Sequence, residues 1–246
     1  MKRVNYIIAN WKMNGLKDSI KLVESIEKHI KKTNNKKSKV IICPPFIFLS
    51  DFINKVKSLN YGAQDCHHLD SGAFTGSISA EMLNSIGCKY VIIGHSERRE
   101  YQNENSRELS RKIEIAIKYK LKVIYCIGEK LSEIKNRSRI LSNQLNSLPN
   151  NFNFKNLIIA YEPVWAIGTG KVPKINEINK IHSKIRQLIS KKIGITNSEK
   201  VSILYGGSVN SSNASDILNL DHVNGALVGG ASLNSKEFCK IIDSYK

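Results

Sequence analysis

The sequence predicts a closed parallel α/β barrel, a (β/α)8 fold built from residues 1–246 as a single domain. Three observations predict it. Short β-branched apolar runs alternate with longer segments of helical period, eight times over and without a visible linker. Most of those runs are continuously apolar rather than alternating, which requires burial on both faces and therefore parallel pairing. The first run ends in Ala9-Asn10-Trp11-Lys12, with none of the glycines that an open nucleotide-binding sheet carries at that turn.

In chain order, the predicted strands are Val4–Asn10, Lys39–Cys43, Asn60–Gln64, Tyr90–Gly94, Lys122–Ile127, Leu157–Glu162, Val201–Tyr205 and Gly225–Val228. Each is rich in Val, Ile, Leu or Tyr, residues that fit a pleated buried surface. The helical segments between and after them are Leu16–Lys32, Phe46–Val56, Ser79–Ile86, Glu104–Tyr119, Glu129–Leu148, Ile175–Lys192, Ser212–Leu218 and Ser232–Tyr245. Their apolar residues recur at three- and four-residue intervals, which places one stripe against a sheet and the lysines outward.

The net charge of +17 raises the possibility of a nucleic-acid-binding module. The lysines are spread along the whole chain, on the polar faces of the helical segments, and base-stacking aromatics are not interleaved with them. A solvated, lysine-rich surface accounts for the charge, and a positive field favours encounter with anionic small molecules. No apolar run is long enough to span a membrane. The chain starts directly into a strand, with no signal region expected ahead of it. Five scattered cysteines, Cys43, Cys66, Cys88, Cys126 and Cys239, include no C-x-x-C pair and suit a reducing cytoplasm.

Polar and charged residues break the apolar pattern at one recurrent place, the C-terminal end of a strand. Asn10 and Lys12 follow the first strand, His95 and Glu97 the fourth, and Glu162 ends the sixth. Those ends converge on one face of a barrel, where sites of this fold lie. Glu162 reads either as a general base, its pKa raised by partial desolvation, or as a carboxylate paired for structure. His95 reads as a hydrogen-bonded structural histidine or as a donor to a carbonyl oxygen. A helix N-terminus just after it would favour the neutral ring. Lys12 reads as an anion-stabilising cation or a snorkelling surface lysine. Glu97 is placed to neutralise Lys12 or to pair with Arg98 or Arg99, and Cys126 reads as a small buried hydrophobe behind the site. Cys66-His67-His68 groups metal-ligand types, yet three adjacent loop residues rarely form a metal site alone.

Two glycine turns follow the last two strands, Gly206-Gly207-Ser208 and Gly229-Gly230. Each lets backbone N–H groups approach an anion closely ahead of a helix, and the pair fits a phosphate site. Ile167-Gly168-Thr169-Gly170-Lys171 is not a P-loop, because Trp165 and Val172 stand where a glycine and a Ser/Thr are needed. Small residues following Pro163 and Trp165 fit a mobile lid.

Taken together, Asn10-Trp11-Lys12-Met13-Asn14, Gly94 through Arg99, Ala160 through Lys171, Tyr205 through Val209 and Val228 through Ser232 resemble the triosephosphate isomerase family along essentially the whole chain. The resemblance implies a TIM barrel catalysing a step of glycolysis and gluconeogenesis. That step interconverts dihydroxyacetone phosphate and glyceraldehyde 3-phosphate through an enediolate. It implies Glu162 as the base, His95 as the carbonyl-polarising group and Lys12 as the cation, with Asn10 beside it. Phosphate would be held by N–H groups of Gly168, Ser208, Gly229 and Gly230. Pro163, Val164, Trp165, Ala166, Ile167, Gly168, Thr169, Gly170 and Lys171 would form the lid. Neither cofactor nor metal, and no nucleic-acid or membrane partner, is implied. A homodimer is implied, with Thr75 of Gly72-Ala73-Phe74-Thr75-Gly76 reaching the partner's site. Ser77 departs from the family's frequent acidic residue there. A Schiff-base aldolase on the same barrel is the enzyme rival, but the last three strands have no interior lysine.

Overall fold

The computed structural model describes residues 3–149, 154–169 and 172–245. Eight strands form one closed barrel in sequence order: β1 (Tyr6–Asn10), β2 (Lys39–Cys43), β3 (Asn60–Ala63), β4 (Tyr90–Ile93), β5 (Lys122–Ile127), β6 (Leu157–Tyr161), β7 (Ser202–Tyr205) and β8 (Gly225–Val228). Every neighbouring pair is parallel, and the barrel closes where Tyr6 to Ala9 of β1 lie in register with Gly225 to Val228 of β8. Closure needs a glycine at the start of β8. Gly225 has φ +141°, and a Cβ there would stand 1.9 Å from the Tyr6 carbonyl oxygen.

The strands divide their side chains between two apolar volumes, as the two-residue period requires. Tyr6, Ile8, Ile41, Tyr90, Ile92, Ile124, Ile158, Leu204 and Leu227 fill the barrel with Cys43 and Cys126. The intervening residues, Ile7, Ile42, Val91, Val123, Ile159 and Ile203 among them, pack outward against the helices. Continuous apolar strands follow directly from this two-sided burial.

The helices are α1 (Ile20–Thr33), α2 (Phe46–Lys55), α3 (Ala80–Ser85), α4 (Ser96–Tyr101), α5 (Ser106–Lys118), α6 (Arg137–Asn146), α7 (Ile175–Ile193), α8 (Ile195–Ser198), α9 (Ala214–Leu218) and α10 (Ser235–Asp243). Several predicted helices start later than expected. Leu16–Lys32 opens with a 3-10 turn at Lys17–Ser19, closed by Ser19 Oγ accepting from the Leu16 N–H at 2.9 Å. Glu129–Leu148 divides into a 3-10 segment, Leu131–Asn136, and α6, because Glu133 turns back to accept from the Lys130 N–H at 2.8 Å and Glu129 points inward. The short α8 lies outside the predicted helices, and α4 was expected only as a helix N-terminus after His95.

One buried cation shapes the other end of the barrel. Arg186 of α7 donates to the Ser198 and Val201 carbonyls and, at 3.0 Å, to Asn224 Oδ1, which also accepts from the Ile203 N–H at 3.1 Å. Burial, with the charge of Arg3 added, pushes its pKa down to about 10. A carboxylate at position 224 keeps both accepting contacts and supplies a counter-charge. Asn224→Asp is therefore expected to stabilise the fold by about 1 kcal/mol, read as a rise of about 2–4 °C in the thermal midpoint. A lowered midpoint would show that the guanidinium is already adequately neutralised.

Candidate active site

The strand ends bring the predicted residues to one cavity of about 290 Å³, lined by Asn10, Lys12, His95, Glu162, Ile167, Gly168, Gly206, Gly207, Ser208, Gly229 and Gly230. A roomier hollow of about 660 Å³ opens at the other end of the barrel, beside Arg3, Lys36 and Tyr245. It contains none of these groups, so chemistry rather than volume marks the site.

Glu162 sits one residue beyond β6 and is 2% exposed. Its backbone is held on both sides: its own N–H donates to Ile127 O at 2.7 Å, and the Gly206 N–H donates to Tyr161 O at 2.7 Å. The Ser96 N–H donates to Oε2 at 2.9 Å. Oε1 lies 3.0 Å from His95 Nε2 but off the line of a good hydrogen bond, and it has no hydrogen-bond partner among the described residues. The expected upward pKa shift is not what results. Burial does push the carboxyl up, but His95, the Ser96 N–H and Lys12 together outweigh it and the net direction is downward. Position in the sequence indicated the burial; only the fold revealed the donors around it.

His95 caps α4, and its Nδ1 accepts from the Glu97 N–H at 3.3 Å. That bond assigns the neutral ring's proton to Nε2, the nitrogen facing Glu162 and the cavity. Burial lowers the His95 pKa, while the Glu162 carboxylate, with help from Glu97, raises it; the net direction in the substrate-free protein is upward. The helix N-terminus expected after His95 is thus present as α4, but the neighbouring carboxylate prevails over it.

Lys12 adopts φ +53°, a conformation L-residues seldom take. Its N–H donates to Asn10 Oδ1 at 3.1 Å, and Gln64 Nε2 binds both the Lys12 and Cys43 carbonyls at 2.9 Å. The ammonium meets Glu97 Oε1 at 2.6 Å, which settles Glu97 as the partner of Lys12. Arg98 turns instead to Asp65 and Glu104, and Arg99 donates to the Gly94 and Cys126 carbonyls. Cys126 is fully buried, and burial followed by the Glu162 carboxylate drives its thiol pKa well up, so it remains a neutral hydrophobe.

The glycine turns differ from expectation in one respect. Gly206-Gly207-Ser208 does not lead directly into a helix, because α9 starts only at Ala214; Asn210 Oδ1 accepts from the Ser212 and Asn213 N–H groups to shape the intervening loop. Gly229 leads into a 3-10 turn, Gly230–Leu233, in which the Ser232 N–H already binds Gly229 O at 2.8 Å. Of the lid, Pro163 through Thr169 are described, and Gly170 and Lys171 lie outside the described residues. Val164–Ala166 forms a 3-10 turn, Ala166 is buried, and its carbonyl accepts from Ser208 Oγ at 2.7 Å. Thr75 lies exposed on its loop, and His67 stacks on His68 and lies tilted against Phe74, each at 4.4 Å between ring centroids. Among the described residues no group of three His, Cys, Asp or Glu side chains could hold a metal ion.

Sequence reading missed Gln64, Gly128 and Gln144. A Cβ on Gly128 would stand 1.6 Å from the Glu162 carbonyl oxygen, so only glycine lets β5 end against the chain at Glu162. Gln144 of α6 grips that glycine, accepting from its N–H and donating to its carbonyl, both at 2.8 Å. The available signal was a third glycine at a strand end, Gly128, beside the two pairs already noted.

A carboxylate, an imidazole and an ammonium facing a glycine-lined cavity on a parallel barrel define an isomerase-type site for a phosphorylated carbonyl compound. A model of the triosephosphate isomerase family matches residues 5–245. Triosephosphate isomerase of Alkaliphilus oremlandii is 44% identical, with 96% of this chain and 98% of that protein covered. The Wolbachia pipientis wMel triosephosphate isomerase is 43% identical, covering 98% and 93%. The crystal structure of triosephosphate isomerase from Bartonella henselae superposes with a TM-score of 0.90 at 37% identity, covering 98% of both chains. The chain belongs to the triosephosphate isomerase family, and it is an isomerase of triose phosphates.

The Glu162–His95 contact makes a measurable demand. Glu162→Gln removes the main group that raises the histidine and leaves burial and Lys12, which lower it, opposed by Glu97 alone. Nitrogen-15 NMR of His95 is expected to show its titration moving to lower pH in that variant; an unmoved titration would mean the carboxylate does not set it.

Proposed function

We propose that this chain interconverts dihydroxyacetone phosphate and glyceraldehyde 3-phosphate, with Glu162 as the proton-transferring base. The observation that carries the proposal is the meeting of Glu162, His95 and Lys12 on a single 290 Å³ cavity whose other wall is glycine backbone. Glu162 takes a proton from the carbon next to the carbonyl and returns it to the neighbouring carbon. To do so the carboxylate turns from the Ser96 N–H toward the cavity. His95 Nε2–H donates to the carbonyl oxygen and moves protons between the two enediolate oxygens. Lys12, held off full solvation by Glu97, supplies positive charge where the enediolate becomes negative. Asn10 and Gln64 hold the Lys12 backbone in place. N–H groups of Gly168, Ser208, Gly229 and Gly230 hold the phosphate, and the lid keeps water from the intermediate. Residues 1–246 form one TIM-barrel domain acting in glycolysis and gluconeogenesis in the cytoplasm. No helix among the described residues is long and apolar enough to cross a membrane.

The same reading includes a homodimer. Met13 is 96% exposed and Tyr101 72%, and both line an opening of about 350 Å³ beside Asn10, Lys12, His95 and Glu97. A second copy's Gly72–Gly76 loop, with Thr75 at its tip, is the occupant. Thr75→Arg is expected to halve the mass measured in solution and to lower activity with it; an unchanged mass would place the interface elsewhere.

Glu162→Asp withdraws the carboxylate by one methylene and is expected to lower kcat by about a hundredfold with little change in KM. A coupled assay starting from dihydroxyacetone phosphate measures it, and a wild-type rate would remove Glu162 from the role. Deleting Ala166–Gly168 is expected to release inorganic phosphate, as the exposed enediolate expels its phosphate with the C–O bonding electrons. The absence of phosphate would show that the lid does not guard the intermediate.

A further inference from the structure

We propose that Arg99 and Gln144 are positioning residues that set the separation of His95 and Glu162 by clamping the end of β5 between them. The two reacting groups follow β4 and β6, which are not neighbours in the barrel, because β5 runs between them. His95 Nε2 nevertheless stands 3.0 Å from Glu162 Oε1. The width and height of the β5 end therefore decide how the pair meets.

The backbone ladder stops short of His95. Pairing of β4 with β5 ends at Ile93 opposite Tyr125, two residues before it. Just past that point the Arg99 guanidinium, carried by α4, takes the ladder's place. Its Nε donates to Gly94 O at 2.7 Å and its Nη2 to Cys126 O at 2.9 Å. The residue before His95 is thus tied to β5 through a side chain. Gly94 makes room for it: φ is +72°, and a Cβ there would stand 2.8 Å from Nη2. Arg99 meets no carboxylate among the described residues, so its fixed fork serves geometry rather than charge pairing.

Gln144, on α6, clamps the other flank. Pairing of β5 with β6 ends at Ile127 opposite Tyr161, and the Glu162 N–H adds one bond to Ile127 O at 2.7 Å. Gly128 comes next, pressed against the Glu162 carbonyl, and Gln144 holds both its N–H and its carbonyl at 2.8 Å. The two clamps are joined. Arg99 Nη2 also donates to Tyr125 Oη at 3.2 Å, and that hydroxyl donates to the Gln144 carbonyl at 2.7 Å. Neither clamp lines the cavity, so both act on the reaction through the backbone they hold.

The inference rests on His95 and Glu162 as the reacting pair, and Glu162→Asp assayed alongside separates the two. Arg99→Lys keeps the charge but loses the fork that spans two carbonyls. Gln144→Glu keeps an acceptor for the Gly128 N–H but sets a carboxylate oxygen against the Gly128 carbonyl. Each variant is measured for kcat and KM with dihydroxyacetone phosphate well below its thermal midpoint, and by nitrogen-15 NMR for the His95 titration. The expected result is a kcat lower by about tenfold with KM within about twofold of wild type. The His95 titration should also move to lower pH, as the carboxylate that raises it stands farther off. The variants act on opposite flanks, so either one that folds decides the outcome. A merely structural pair would lower the midpoint and leave kcat and the His95 titration at their wild-type values. That result beside a slowed Glu162→Asp overturns the clamp alone, whereas a wild-type rate in Glu162→Asp removes the reacting pair and this inference with it.

Discussion

The closure of the barrel between β1 and β8 is the constraint on which the rest of the molecule depends. Tyr6 to Ala9 pair with Gly225 to Val228, and the pairing is possible because Gly225 presents no side chain to the Tyr6 carbonyl. Once the ring is closed, the C-terminal ends of distant strands become neighbours. Lys12, His95 and Glu162 are separated by dozens of positions yet face a single cavity. An open sheet with the same strands would spread those ends along a line.

Charges around this cavity are paired with one another. Lys12 meets Glu97, and Glu162 meets His95 and the Ser96 N–H. Each group is thereby oriented by a partner of its own. Beneath this layer lies a second one. Asp65 and Glu104 share the Lys112 ammonium, and Arg98 joins both, just behind the face that carries Met13 and Tyr101. Burial lifts Asp65 to about 6 in spite of Lys112. Its folded pKa therefore exceeds its ordinary value of 3.8, and the stability tied to its neutral form is lost as pH rises between the two.

Most of the fold was legible because its cause is local. The apolar runs are continuous, the turns carry their glycines, and β2, β5 and β8 start and end where the residue types change. Several strands end one residue earlier than the pattern suggests, because Gln64, Gly94 and Glu162 leave the sheet to serve the site. The short α4 was hidden for the opposite reason. Six residues cannot display a helical period, and its start is marked by His95, whose ring accepts from the Glu97 N–H.

The sequence by itself determined the architecture and which polar residues stand at the strand ends, since a buried parallel pattern brings those ends to one face of the barrel. Tertiary structure alone decided the net protonation preferences of Glu162 and His95, which follow from a contact between residues 67 positions apart (His95 to Glu162). It alone revealed Gly128, Gln64 and Gln144, whose importance lies in the backbone they touch. It alone also gave Arg137 two carboxylates, Glu129 and Glu177. The division has a physical origin: hydrophobic periodicity is written along the chain, whereas Coulombic and hydrogen-bonding partners are chosen by distance in space.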